Sequence, residues 1–387
     1  MIDYELTEQE KQLKAKTAEL AIKDIAPQAK KLDEATKAES AGLMKANLKK
    51  LAQAGVLEAG LADGKIDLIG AYVAGEEIAK ACAATYMSAR ATSFLVGGAV
   101  TLFGTADQKS AYLAGIKAAD TIGALAYSEA DSGTDLGAIA TTAVSEADKW
   151  LISGTKDIVL NAPIADVFLV LAWTDKAAGL EKGLSLFIVE KTAAGLTAGA
   201  PLDTMGLRGA PIASLTLDKC AAKAILGGTA GQGFEQVTKL LEMGRVTASA
   251  MCVGVGTACM EKATAQAKAR KTFGKPIGAY QEVGFKLADM FTQNDLGRTL
   301  SLRAAWAYNM GDSDAPILAA CAKLFAGEGV TLVANLAMQV FAGHGYLKGT
   351  DIERLYRDAR FGEICEGTTE MMRVTIAKPD LDRFARR

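Results

Sequence analysis

Thr121-Ile122-Gly123-Ala124-Leu125-Ala126-Tyr127-Ser128-Glu129-Ala130-Asp131-Ser132-Gly133-Thr134-Asp135 is where the chain changes period. Thr121 to Tyr127 is short and apolar, and Asp131-Ser132-Gly133 is a turn signal; a run of that length bounded that way reads as a strand. Upstream, Thr7-Glu8-Gln9-Glu10 has the pattern of a capping box. It opens a charge-rich helical stretch reaching about Lys31. Further helical runs cover Ala41 to Ala54, Leu68 to Ala84, Met87 to Phe103 and Asp107 to Ala118. Downstream, strands are expected at Thr141–Glu146, Lys149–Ser153, Val167–Thr174, Leu184–Val189 and Ser214–Leu217. Turns at Ser153-Gly154, Lys182-Gly183 and Ala194-Gly195 separate them. No long helical pattern interrupts these strands, so the sheet reads as antiparallel or mixed; a parallel unit needs crossover helices. From Phe234 the helical period returns, over Phe234–Arg270, Tyr280–Met310, Ala315–Phe341 and shorter pieces to Lys378. The order is a helical domain (1–120), a β domain (121–230) and a helical bundle (231–387), an α+β fold.

The bulk composition agrees with this. The chain has 387 residues, too many for one hydrophobic core. A net charge of −2 provides no global field for nucleic acid or an anionic membrane. The longest uncharged helical run, Val246 to Met260, falls short of the roughly 20 residues of a membrane span. The six cysteines (Cys82, Cys220, Cys252, Cys259, Cys321 and Cys365) form no CxxC pair. With His344 the sole histidine, a zinc site and a serine–histidine triad are both disfavoured. Residues 1–7 lack a signal-peptide pattern, and scattered thiols suit a reducing cytoplasm. Chemistry must then rest on carboxylates, hydroxyls, backbone amides or a cofactor.

Four stretches carry such groups. Tyr127-Ser128-Glu129 through Asp135 gathers hydroxyls and glycine at a turn after a strand, where free N–H groups suit a polar ring edge or a phosphate; an acidic surface turn is the plainer reading. Arg270-Lys271-Thr272-Phe273-Gly274-Lys275-Pro276-Ile277, with Gln281, joins two long helices. An arginine and an exposed phenylalanine can grip a pyrophosphate and pack on a flat ring, or simply form an interhelical turn. Gln339-Val340-Phe341-Ala342-Gly343-His344-Gly345-Tyr346 ends a helix in glycines, which admit a ligand or merely cap it. Last, Arg354 to Glu370 begins as a helix with basic residues three apart and breaks at Glu366-Gly367-Thr368. A glutamate beside glycine in an otherwise apolar neighbourhood is a candidate general base.

At these intervals the stretches together resemble the flavin-dependent acyl-CoA dehydrogenases, most closely the short-chain, butyryl-CoA-type members. The resemblance runs over essentially the whole chain. Besides the blocks above it includes Leu207-Arg208-Gly209, Leu241-Glu242-Met243-Gly244-Arg245, Phe285-Lys286-Leu287-Ala288-Asp289-Met290 and Tyr356-Arg357-Asp358-Ala359-Arg360. It implies a middle domain that is antiparallel and barrel-like, and a C-terminal four-helix bundle. It implies FAD as cofactor and no metal. Glu366 would be the base that takes the α-proton of an acyl-CoA thioester while a hydride leaves Cβ for the flavin. The backbone N–H of Glu366 would help hold the thioester oxygen. Ser128, Thr134, Ile158 and Leu160 would meet FAD from one subunit, and Arg270, Phe273, Gln281, Gln339 and Gly343 from a neighbour. Thr368 and Glu370 would touch it beyond the base. Arg245, Cys365 and Gly367 would border the substrate. The resemblance also implies an electron-transferring flavoprotein as acceptor and a homotetramer.

Several positions depart from the family pattern. Ile158 stands where an aromatic usually backs the flavin, and Leu160 where a threonine hydroxyl usually reaches it. Cys365 replaces a tyrosine and widens the acyl pocket. Arg90, in Thr85-Tyr86-Met87-Ser88-Ala89-Arg90, borders the acyl end, where it could salt-bridge a dicarboxylic acyl group, but by its register it is expected to point away. These departures keep three readings open: an ordinary acyl-CoA dehydrogenase, an enzyme for a cyclic or aromatic-type acyl-CoA or an enoyl-CoA reductase on the same scaffold, and a non-catalytic binding paralogue.

Overall fold

The computed structural model describes residues 6–62, 64–147 and 149–378; residues 1–5 of the N-terminal reading lie outside them. The first helix, Glu8–Leu20, starts on the expected capping box: Glu10 N–H donates to Thr7 Oγ1, and Thr7 N–H donates to the Glu10 carboxylate at 2.7 Å. Thr36 with Glu39 and Thr105 with Gln108 repeat the device. Two N-terminal helices matter for the site. Helix α1 (Leu68–Ala81) is buried along nearly its whole length, because it lies between the N-terminal helix and the long helix of the C-terminal domain. Helix α2 (Ala83–Arg90) runs straight on into a π-helical turn, Ala91–Gly97, buried throughout. Wide turns of this kind recur at functional positions.

The middle domain is one sheet. Its strands are β1 (Gly123–Ala126), β2 (Thr142–Glu146), β3 (Lys149–Leu160), β4 (Val167–Trp173), β5 (Leu184–Glu190), β6 (Leu196–Ala198), β7 (Ile212–Ala221) and β8 (Ala224–Ile225). The order is β8-β5-β4-β2-β3-β7-β6, with β1 lying parallel beside β4. The β2–β4 contact is also parallel, through Thr142 and Trp173, and the remaining pairings are antiparallel. The mixed sheet is possible because β1 enters from the helical domain rather than from a hairpin. Its side chains fill a core of their own, centred on Ile152, Val159, Phe168, Phe187 and Leu215.

One sequence expectation fails here. Ser153-Gly154 is not a turn: β3 continues to Leu160, paired with β7 on both sides, with irregularities between Ile152 and Gly154 and between Lys156 and Val159. Gly154 is required for another reason. A Cβ there would collide with the Oγ1 of Thr141 and come within 2.8 Å of its Cα, so the glycine permits a close backbone approach inside the strand. The second irregularity rotates the end of β3 and leaves Ile158 on the outer face, 67% exposed.

The C-terminal domain is built on α3 (Gly233–Ala269), α4 (Gln281–Asn309) and α5 (Ala315–Phe341), which pack against one another. Helix α3 also packs on α1, so the two helical domains share one hydrophobic core. Burying each of its valines and leucines is worth about 1.5–3 kcal/mol, which is why the domain junction has the character of an interior. Helix α5 is apolar enough to cross a membrane by length and composition, but its apolar stripe faces α3 and α4. Two shorter helices, Asp351–Ala359 and Thr369–Ala377, close the bundle, and the turn between them carries Glu366.

Candidate active site

The turn after Asp351–Ala359 has a demanding backbone. Arg360–Glu363 is a single 3-10 turn, and Glu366 and Gly367 both sit at positive φ, 54° and 95°. A glutamate held there costs of order 1–3 kcal/mol and persists only where the surroundings over-determine it. Lys323, from the middle of α5, does this. Its ammonium donates to the carbonyls of Glu363 (3.1 Å) and Gly367 (2.5 Å), bracketing Glu366. Burial holds the pKa of Lys323 below the usual lysine value, with Cys365 and Cys252 opposing. Thr331 adds a bond to the Glu363 carboxylate at 2.7 Å, and Thr368 caps the following helix through its hydroxyl.

The side chain of Glu366 does not lie in an apolar neighbourhood, and Arg90 does not point away from it. Both expectations are overturned by the crossing of α2 over α3. Arg90 Nη2 lies 2.9 Å from Glu366 Oε1 in a buried pair. The guanidinium is fixed from behind: Nε donates to Thr247 Oγ1 at 2.7 Å and Nη2 to the Gly244 carbonyl at 3.0 Å. Burial works against the Arg90 charge, but Glu366, with Tyr86 and Cys365, outweighs it and raises its pKa above the usual arginine value. The other carboxylate oxygen, Oε2, is buried and accepts no hydrogen bond from any described residue. It faces Gly244, where even a Cβ would approach to 2.6 Å. The Glu366 N–H donates to no protein group among the described residues. The site therefore holds one carboxylate by one oxygen, leaves the other oxygen free, and offers an adjacent amide.

The β domain supplies the third wall. Tyr127 follows β1, and burial, reinforced by the Glu366 carboxylate, pushes its phenol well above its ordinary pKa, so it remains protonated. Below it, Glu129 accepts from Lys156 Nζ (2.7 Å), Ala140 N–H (2.7 Å), Thr141 N–H (3.1 Å) and Thr141 Oγ1 (2.5 Å). Burial brings Lys156 down to about 8 against the pull of Glu129. Burial works the other way on Glu129, but its bonds to Lys156 and Thr141 hold it below the usual carboxylate range. This network pins the Tyr127–Glu129 corner, and Asp157 N–H donates to Ser128 O, which sets Ser128 beside Ile158.

The other sequence candidates fall into separate groups. Ser128, Ile158 and Leu160 lie together at the end of β3, and Thr134 is exposed on the turn nearby. Arg270, Phe273 and Gln281 are exposed on the hairpin between α3 and α4; Phe273 is 94% exposed and meets Tyr280 edge-on at 6.5 Å. Gln339 and Gly343 are exposed at the end of α5, which shares an open hollow of about 550 Å³ with the last turns of α3. Gly367 brackets the base, and Cys365 is buried beside it, its thiol pushed up to about 11 by burial. Glu370 is exposed on the first turn of the last helix. Arg245 lies beside Glu242 and Tyr308: burial and then Glu242 raise the pKa of Tyr308, Arg245 opposes them, and the Arg245 Nε is buried with no hydrogen-bond partner among the described residues. Sequence reasoning passed over Lys323 and misjudged Arg90. The available signal was the same for both, a single cation inside an apolar helical run.

A carboxylate with one free oxygen, a neighbouring free amide and an exposed apolar shelf at Ile158 beside Ser128 suit proton abstraction next to a flat redox ring. Three family models match the chain: acyl-CoA dehydrogenase N-terminal domain over residues 7–120, middle domain over 124–220 and C-terminal domain over 231–379. The chain belongs to the acyl-CoA dehydrogenase family. Its sequence is 35% identical over 386 residues to the probable acyl-CoA dehydrogenase YngJ of Bacillus subtilis (strain 168), covering 97% of this chain and 99% of that protein. Its structure superposes with a TM-score of 0.90 on butyryl-CoA dehydrogenase from Megasphaera elsdenii, at 28% identity and covering 97% and 99% of the two chains. A TM-score of 0.91, with 31% identity and full coverage of both chains, relates it to a structure titled "Electron transferring flavoprotein of Acidaminococcus fermentans: Towards a mechanism of flavin-based electron bifurcation". The family consists of FAD-dependent oxidoreductases acting on CH–CH bonds, and this chain is of its short-chain, butyryl-CoA dehydrogenase-like kind.

Proposed function

We propose that the protein dehydrogenates an acyl-CoA thioester between Cα and Cβ, with Glu366 as the base. The observation that carries this is the Glu366 carboxylate, held by Arg90 through Oε1 while the buried Oε2 has no partner. Glu366 Oε2 takes the α-proton, and the Glu366 N–H donates to the thioester oxygen as negative charge develops on it. Lys323 and Gly367 keep that amide and that carboxylate on one rigid turn, so neither must reorganise during the reaction. Tyr127 and Cys365 exclude water from the same space.

The residues fit FAD. An exposed Ile158 beside Ser128 offers a surface for a ring, and the Arg270–Phe273 hairpin offers a cation and an apolar plane. Ser128, Thr134, Ile158 and Leu160 would hold it on one side, and Arg270, Phe273, Gln281, Gln339 and Gly343 of a second copy on the other. Thr368 and Glu370 would reach it past the base. FAD supplies the acceptor for the hydride that leaves Cβ. In this reading the enzyme is a cytoplasmic homotetramer and passes its electrons to an electron-transferring flavoprotein. The likeness to a structure titled for such a protein supports that partner.

The test is anaerobic mixing of the FAD-loaded protein with short acyl-CoAs. Wild type is expected to bleach at 450 nm or nearby (roughly the flavin band), and Glu366→Gln to bind acyl-CoA without bleaching. Unchanged bleaching in that variant would assign the proton to another base. A colourless protein that takes up no FAD would remove the dehydrogenase reading altogether.

A further inference from the structure

Lys156 is fully buried in β3, a costly place for an ammonium. Its Nζ donates to Glu129 Oε1 at 2.7 Å and to the Tyr127 carbonyl at 3.2 Å. Glu129 does not depend on it for partners, because that carboxylate also accepts from the Ala140 and Thr141 N–H groups and from the Thr141 hydroxyl. Nor does stability account for a buried ion pair, since apolar residues of the same volume often serve as well or better. What the ammonium adds is a charge on one particular peptide.

That peptide joins Tyr127 to Ser128, and no peptide among the described residues is cis. In a trans peptide the C=O and the N–H point in opposite directions. The carbonyl is turned inward to Lys156, so the Ser128 N–H is turned outward, where Ser128 is half-buried and Ile158 exposed. This N–H donates to no protein group among the described residues. Its neighbours are taken: the Glu129 N–H donates to Ser132 O at 2.6 Å, and the Ser128 carbonyl accepts from Asp157 N–H at 3.1 Å. A hydrogen bond from a cation draws electron density toward the carbonyl oxygen and leaves the N–H of the same peptide a stronger donor, the more so in a dry interior. Burial brings Lys156 down to about 8 against Glu129, the charged group that acts on it, so the ammonium keeps its charge at neutral pH. A reduced flavin ring is richer in negative charge than the oxidised ring, and a donor aimed at that charge favours the reduced form.

Resting on the placement of FAD at Ser128, we propose that Lys156 is a positioning residue of the flavin site. It acts through the Tyr127–Ser128 peptide, aiming and strengthening the Ser128 N–H toward the ring, and so favours reduced over oxidised FAD.

The experiment measures the midpoint potential of the FAD-loaded protein by dye-coupled enzymatic reduction, with no thioester present. Wild type is compared with Lys156→Met and with the double variant Lys156→Met/Glu129→Gln. The double variant strands no buried charge and keeps the comparison open if the single one does not fold. It also leaves the net charge unchanged, so a shift there reports the peptide rather than the long-range field. Both are expected to lose about fivefold or more in the preference for reduced over oxidised FAD, read as a potential lower by about 20 mV or more. Affinity for oxidised FAD, titrated into apoprotein by fluorescence quenching, is expected to change far less. Lys156→Arg keeps the charge and is expected to recover part of the potential. Ser128→Ala removes the hydroxyl but keeps the N–H, and is expected to leave the effect of Lys156→Met in place. An unchanged potential in a folded variant would overturn the proposal. So would equal weakening of oxidised and reduced FAD, because Lys156 would then only hold the corner in shape. Disappearance of the effect in the Ser128→Ala background would overturn the route through the peptide. Wild-type protein that takes up no FAD removes the FAD reading and this proposal with it. A shifted potential together with no bleaching by acyl-CoA removes the dehydrogenase reading and leaves Lys156 its role.

Discussion

Replacing Gly244 by alanine places a methyl carbon 2.6 Å from Glu366 Oε2 and 2.9 Å from Arg90 Nη2. Ordinary contact is about 3.5 Å, so the carboxylate must retreat by roughly 0.9 Å. It cannot do so freely, because the carboxylate is tied to Arg90 and the turn to Lys323. Two effects on stability oppose one another. Alanine in a helix interior gains about 1 kcal/mol over glycine. Overpacking of this kind costs about 1–3 kcal/mol. The net loss is at most about 2 kcal/mol, and the fold survives. The effect on the reaction is larger, since a misplacement near 1 Å costs about a hundredfold in rate. Gly244→Ala is therefore expected to slow single-turnover bleaching by roughly ten- to a hundredfold while shifting the unfolding midpoint by only a few degrees. Stopped-flow absorbance and differential scanning calorimetry on the same preparation measure both. Bleaching at the wild-type rate together with a raised midpoint would refute the placement of Glu366 against Gly244.

Lys323→Met is expected to leave two buried carbonyls without their donor and to cost about 2–4 kcal/mol in chemical denaturation, with single-turnover bleaching falling much further than flavin content. Glu129 has a pKa held below its ordinary 4.5, so its share of stability is complete above that value and is lost as pH falls through the depressed one. Glu129→Gln is expected to flatten the acid side of the stability profile below about pH 4.5, measured by thermal melts across a pH series. Gly154→Ala is expected to destabilise by about 2–4 kcal/mol, because the added carbon meets the backbone of Thr141, which cannot rotate aside. A melt unchanged by that substitution would contradict the strand assignment through Gly154.

How much could be read in advance depended on the range of the interactions involved. The helix Ala315–Phe341 was legible to the residue, because its boundaries are local: Asp314-Ala315-Pro316 starts it and the Ala342-Gly343 break ends it. The position of Glu366 in a turn was legible for the same reason. Ser153-Gly154 was misread because a glycine needed for close approach within a strand looks the same in one dimension as a glycine needed for a turn. Arg90 was beyond a local reading. Where its guanidinium goes depends on the angle at which α2 crosses α3, and on Thr247 and Gly244, which lie about 155 residues away. The lone cation in an apolar run was visible; its partner was not. Lys323 is a further case, since its bonds run to backbone atoms that carry no trace in the sequence.

The base is held by parts of the chain that are synthesised far apart. Arg90 comes from the first domain, Gly244 and Lys323 from the third, and Tyr127 closes the space from the second. Until the first and second domains have docked on the third, Glu366 has no charge partner and no dry surroundings. A nascent or partly unfolded chain is then chemically silent, and reactivity toward a thioester appears only as the last step of assembly. Correct assembly and competence are in this sense a single event, reported by one carboxylate.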